Sequence, residues 1–171
     1  MNELNEFSEK DGEVSGYASV FNVVDGHGDI IQKGAFKNSV KFFKSGHKKP
    51  KFLWQHEVAS PIGVIEDIFE DDYGLFVRAR LLQGIPKADE ARLLIKSGAI
   101  NGFSIGYTIK NKFARGTNNY LTDINLLEIS IVTFPACELA VIENVKESNI
   151  VRNLKSISNK IKKFNQRSEN L

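Results

Sequence analysis

Along the first 145 residues, runs rich in aromatic and β-branched side chains recur between turn residues, the pattern of a β-rich domain. Residues 14–24 read as a strand that ends in the Gly-rich segment Asp25-Gly26-His27-Gly28-Asp29, a turn or loop. The pattern then changes period. Phe36, Val40 and Phe43 recur at helical spacing over residues 33–45, and Gly46 stands where a helix C-cap belongs. The basic turn His47-Lys48-Lys49-Pro50 leads into a strand over residues 51–56. Strands 63–69 and 75–82 flank the acidic turn Glu70-Asp71-Asp72-Tyr73-Gly74 and form a hairpin. Pro86 and Gly98 bracket a second helix carrying Ala91, Leu94 and Ile95. Strands over 101–110 and 120–134 follow, with Arg115-Gly116-Thr117-Asn118-Asn119 between them, and residues 141–145 add a last short strand.

The remainder differs. Ile150, Leu154, Ile157, Ile161 and Phe164 alternate spacings of four and three, which places one apolar seam on a basic amphipathic helix. The predicted class is α+β: a β-rich domain over residues 1–145 with two short helices, followed by a helical tail over 146–171.

Charge sharpens that division. The net charge is +2, yet residues 146–171 hold seven Lys or Arg against two Glu, so the tail carries about +5 and the body about −3. This balance does not call for nucleic acid. No apolar run approaches the roughly 18 residues that cross a bilayer, and residues 1–12 lack a signal-peptide pattern. The single cysteine, Cys137, rules out an internal disulfide and fits a reducing cytoplasm.

A metal-free hydrolase commonly uses a histidine as its base, and the chain has three. His27 sits between glycines and His47 in a basic, exposed turn. His56 shares a predicted strand face with Phe52 and Trp54, where an apolar wall can hold the ring; a partly buried structural histidine fits the same pattern. In Gly102-Phe103-Ser104-Ile105-Gly106-Tyr107 a strand turns Phe103, Ile105 and Tyr107 one way and Gly102, Ser104 and Gly106 the other. The second face leaves room beside the Ser104 hydroxyl for a peptide, with Gly102 and Gly106 lining the groove; a β-bulge with an incidental serine is the alternative. The match to G-x-S-x-G is misleading, because no helix follows and no histidine lies beyond position 56. A triad here must run His, Ser, then acid.

Residues 124–134 are apolar on both predicted faces, which describes a covered central strand, with Glu128 on the face of Ile124, Leu126, Ser130, Val132 and Phe134. A buried carboxylate needs a partner. His56 is the natural one, since Glu128 would fix its tautomer and stabilise the imidazolium. A salt bridge to Arg78 or Arg92 is the alternative, and Glu57 and Asp123 compete for the acid's role from strand ends.

These segments resemble the prohead protease family of tailed bacteriophages, distant relatives of the herpesvirus assemblins. The resemblance rests on Gly16-Tyr17-Ala18-Ser19-Val20-Phe21-Asn22, Gly28-Asp29-Ile30-Ile31 with Gly34-Ala35-Phe36, Trp54-Gln55-His56 with Pro61-Ile62-Gly63, and Gly74-Leu75. Gly102 to Tyr107 and Leu127-Glu128-Ile129-Ser130-Ile131-Val132-Thr133-Phe134-Pro135-Ala136 complete it. It implies a compact antiparallel or mixed β-barrel flanked by short helices, with His56 as base, Ser104 as nucleophile and the third member on the strand of Glu128, where assemblins carry a second histidine. Assemblin topology points to backbone N–H groups of Ala136 and Cys137 as oxyanion donors.

The implied activity is endopeptidase cleavage of the scaffolding protein, of a scaffolding segment of the major capsid protein, and of the enzyme itself. No cofactor, metal, nucleic acid or membrane is expected. The implied setting is the host cytoplasm, inside the assembling procapsid, with a homodimer as the active form; the tail would dock on a helical scaffold or lie on its own domain. Three rivals stand beside this reading: a thiol enzyme using Cys137 with His56, a non-enzymatic assembly factor that binds scaffold through its tail, and a metal loop of Asp25, His27 and Asp29.

Overall fold

A computed structural model describes residues 12–145 of the chain. The predicted tail helix, and with it the division at 145/146, falls outside the described residues. Strand β1 (Glu13–Val20) is followed by β2 (Asp29–Ile31), helix α1 (Lys37–Lys44), β3 (Lys51–Trp54), the β4–β5 hairpin (Pro61–Glu70, Gly74–Leu81) and helix α2 (Pro86–Lys96). The long hairpin β6–β7 (Gly102–Arg115, Asn118–Val132) and β8 (Ile142–Val145) complete the order.

The strands form one mixed sheet in the order β2-β7-β3-β4-β5-β1-β8, with β6 paired to β7. Strand β7 organises it: β2 and β3 run parallel to it, and β6 antiparallel along its length. The sheet curls into a half-barrel, and its ends approach one another. Phe103 N–H donates to the Ala140 carbonyl (2.8 Å), Ile142 N–H to that of Asn101 (2.8 Å), and β8 pairs with β1. Gly16 is required there, because a Cβ would fall 2.1 Å from the Val141 carbonyl oxygen. Helix α1 packs on β4 and β7, and α2 on β3, β4 and β5. Between the layers lies a core that includes Phe36, Phe52, Ile62, Leu75, Phe103 and Ile129.

Both predicted helices and the acidic hairpin turn are present. Asp71 closes that turn by accepting the backbone N–H of Tyr73 (2.7 Å) and Gly74 (3.0 Å). Four details differ from the sequence expectation. The first strand stops at Val20, before Asn22 adopts φ 61°. Strand β2 takes Asp29 from the expected turn and joins it to Ile30 and Ile31, for which the pattern predicts no element; three residues are too few to show periodicity, and the parallel pairing with Asn119 to Leu121 makes them a strand. Helix α1 begins at Lys37, because the preceding turn gives its Gly34 and Phe36 amides to the Glu70 carboxylate (3.1 and 3.0 Å). The fourth difference lies in β3 and β7 and concerns the site.

Candidate active site

His56 is not on a strand. Strand β3 ends at Trp54, and Gln55 (φ 49°) and His56 (φ 62°) then occupy the left-handed region. Non-glycine residues go there rarely, at about 1–3 kcal/mol each, unless their surroundings hold them. Here they do. Gln55 N–H donates to the Ile131 carbonyl (2.9 Å), and its side-chain amide pairs with Thr133 in both senses, Nε2 to Oγ1 at 2.9 Å and Thr133 N–H to Oε1 at 3.2 Å. His56 N–H donates to Ser130 Oγ (3.1 Å). The turn therefore swings the imidazole out of the strand face of Phe52 and Trp54 and over β7.

Strand β7 presents the acid through a second irregularity. The β6–β7 register shifts so that Gly106 faces Glu128 while Tyr107 faces Leu126, which leaves Leu127 as an exposed bulge. The bulge resets the alternation. Leu126 and Ile124 lie in the core with Ile129 and Ile131, whereas Glu128 shares a face with Ser130 and Val132. The predicted grouping of Glu128 with Leu126 and Ile124 is thus corrected: period two does not survive an inserted residue.

Glu128 takes His56 rather than an arginine. Its Oε1 lies 2.7 Å from His56 Nδ1, and its Oε2 accepts the Ser130 hydroxyl at 2.7 Å. Arg78 and Arg92 pair with Asp67 and Asp89, Glu57 accepts the Ser60 hydroxyl, and Asp123 accepts Asn38 Nδ2. The Glu128 side chain is 12% exposed and that of His56 44%. The hydrogen bond that His56 donates to Glu128 raises the His56 pKa above its ordinary 6.5, against an opposing pull from partial burial.

Ser104 stands on β6 directly opposite Ser130 in the register and is 5% exposed. Among the described residues its hydroxyl has no hydrogen-bond partner. With His56 it lines a groove of about 530 Å³, walled on one side by residues from Ala18 to Ile31 and on the other by Phe134, Ala136 and Cys137. No direct hydrogen bond joins Ser104 to His56. Loop 25–28 closes on the second wall through Gly26 N–H to the Ala136 carbonyl (2.9 Å). No acceptor among the described residues takes the N–H of Ala136 or Cys137.

Of the two glycines expected to line the groove, Gly106 does so, and a Cβ on it would meet Glu128 Oε1 at 2.3 Å. Gly102 leaves space that Pro135 and the Val132 carbonyl fill, 2.9 Å from where its Cβ would be. Asp25 shapes the turn by accepting the N–H of His27 (2.8 Å) and Asp29 (2.9 Å); Asp29 accepts Tyr107 and Asn119. Sequence reasoning passed over Gln55 and Ser130. The available signal was polarity, since Ser130 interrupts an otherwise apolar strand end that is fully buried.

A groove holding an unbonded serine hydroxyl together with a histidine paired to a carboxylate has the complement of a serine hydrolase. Comparison with known proteins narrows that class. Residues 2–156 match the family pattern described as caudovirus prohead serine protease. The chain is 34% identical over 154 residues to the prohead protease of Enterobacteria phage HK97, covering 88% of this chain and 67% of that protein. It is 34% identical over 104 residues to the capsid polyprotein of Pseudomonas phage PAJU2, covering 56% of this chain and 15% of the polyprotein. Among solved structures, the bacteriophage T4 capsid assembly protease, gp21, shares the fold at TM-score 0.50 and 15% identity, over 70% of this chain and 82% of that one. The KSHV protease, solved with a hexapeptide phosphonate inhibitor, gives TM-score 0.45 at 10% identity, over 76% and 63%. The chain belongs to the caudovirus prohead serine protease family. It is a serine protease of capsid maturation.

Proposed function

We propose that Ser104, His56 and Glu128 carry out peptide-bond cleavage by acyl transfer. Ser104 Oγ attacks the scissile carbonyl while His56 Nε2 takes its proton, and Glu128 holds Nδ1–H and stabilises the imidazolium. The proton passes to the leaving amine, the acyl-enzyme forms, and water admitted through the same base releases the acid. The oxyanion donors in this proposal are the N–H groups of Ala136 and Cys137, which line the groove and make no backbone hydrogen bond among the described residues, each donor contributing on the order of 3 kcal/mol. The observation that carries this reading is one groove lined by His56, itself paired to Glu128, and by Ser104, whose hydroxyl has no hydrogen-bond partner among the described residues. Substrate binding, by excluding water, would draw Ser104 and His56 into the bond that the free enzyme lacks.

The substrates in this proposal are the scaffolding protein or the scaffolding segment of the major capsid protein, inside the assembling procapsid, and the enzyme itself. The PAJU2 capsid polyprotein supports this, because a segment similar to this chain lies within it. A homodimer and a scaffold-docking role for residues 146–171 belong to the same proposal.

Ser104→Ala is expected to abolish cleavage of a capsid-derived peptide, and a serine-directed phosphonate should modify Ser104 alone when the adduct is mapped. Retained cleavage in Ser104→Ala would favour the Cys137 thiol. An unlabelled protein that binds scaffold but cuts nothing would favour a purely assembling role.

A further inference from the structure

We propose that Ser130 is a positioning residue of this protease, one buried hydroxyl that locks the base and the acid to each other. The inference rests on the assignment of His56 and Glu128 above. Ser130 is 0% exposed, and its Oγ has two partners: the His56 backbone N–H at 3.1 Å and Glu128 Oε2 at 2.7 Å. An amide can only donate, so Oγ accepts there and its single proton must go to Glu128. That direction has consequences down the line. Glu128 accepts at Oε2, as an ionised carboxylate does, and Oε1 is left to accept Nδ1–H of His56 at 2.7 Å. The Nε2 lone pair then faces the groove, free to take a proton.

The same hydroxyl ties down the backbone of a residue at φ 62°, a conformation that needs external support. Gln55 shares the support of the turn, but its side chain hydrogen-bonds to Thr133 and not to the His56 ring or Glu128. Ser130 alone among the described residues bonds to both His56 and Glu128. Without it the carboxylate keeps one tether fewer and the imidazole carrier can relax, so the pair separates without losing either member.

The test compares the full-length wild-type protein with Ser130→Ala, reading the His56 pKa by imidazole NMR in the absence of substrate and peptide cleavage across pH. In Ser130→Ala the His56 pKa should fall toward 6.5, and the acid limb of kcat/KM should move to lower pH with it. At the plateau kcat should drop about 100-fold, the scale of a slight misplacement of catalytic groups, with KM held within about twofold. Ser130→Thr, which keeps the hydroxyl, should recover most of both. Should the alanine variant not fold, Ser130→Cys fills the space with a poor donor and should move the His56 pKa in the same direction. The other ionisable groups on the groove, Asp25, His27, Asp29, Tyr107 and Cys137, and the neighbouring Glu57, are common to all variants.

An unchanged His56 pKa and pH limb, with any loss of activity tracking the melting temperature, would overturn the inference. Because the His56 titration needs no turnover, it stands apart from the nucleophile test. Cleavage surviving Ser104→Ala would remove the functional reading and leave the Ser130 titration result intact.

Discussion

His56, as the proposed base, is where the proposed chemistry meets pH. Its hydrogen bond to Glu128 raises its folded pKa above 6.5, and a general base works only when neutral. Activity should therefore climb with pH through a midpoint above 6.5, read as the acid limb of kcat/KM for a short peptide. Stability runs the other way. A histidine with a raised folded pKa contributes stability fully below its unfolded value and loses it as pH rises through the folded one. The effect is modest, because the side chain is 44% exposed and solvent screens it. An acid limb centred at or below 6.5 would mean that the base titrates without its carboxylate. That Ser104, His56 and Glu128 are candidates was legible from residue type: one histidine beside an apolar wall, one serine among glycines, one acid in a covered strand; their proposed roles came from the family resemblance. Their contacts were not legible. The left-handed turn at Gln55 and His56 carries no glycine to announce it, and bonds from β7 far along the chain hold it in place.

At the scale of elements, pairing of β6 with β7 decides where the acid points. Gly106 lies opposite Glu128, and the missing side chain is the space the carboxylate occupies. Gly106→Ala would put a Cβ 2.3 Å from Glu128 Oε1, and the flexible carboxylate end would give way before the sheet does. The expected result is a loss of kcat/KM of about 100-fold, with the His56 titration moved toward 6.5 and the melting temperature little changed. A variant that melts much earlier yet keeps its kcat/KM would place the role of Gly106 in the sheet instead. Local signals found both helices and the hairpins, because caps, turn residues and periodicity act over a few neighbours. They missed β2 and the Leu127 bulge, since a three-residue strand and an inserted residue acquire meaning only from the strand alongside.

The whole molecule gathers the groove from the β1–β2 connection, the turn after β3, strand β6 and the loop after β7. His56 and Glu128 stand 72 positions apart in the chain. A single copy holds every proposed catalytic group, yet Ser104 and His56 are not hydrogen-bonded to each other in it. Under the proposed dimer, a second copy helps close that pair, and cleavage per molecule should fall on dilution as sedimentation reports dissociation. Activity per molecule that stays constant through complete dissociation would make one copy sufficient.

The sequence by itself determined the β-rich α+β class, the chain order of the candidate groups His56, Ser104 and Glu128, and the likeness to prohead proteases, because side-chain type, turn chemistry and motif order are written locally. Tertiary structure alone decided which face of β7 carries Glu128, how His56 leaves its strand and which hydroxyl stands between them. Register, bulges and left-handed turns are settled by hydrogen bonds between segments remote in the chain, and no local pattern contains that information.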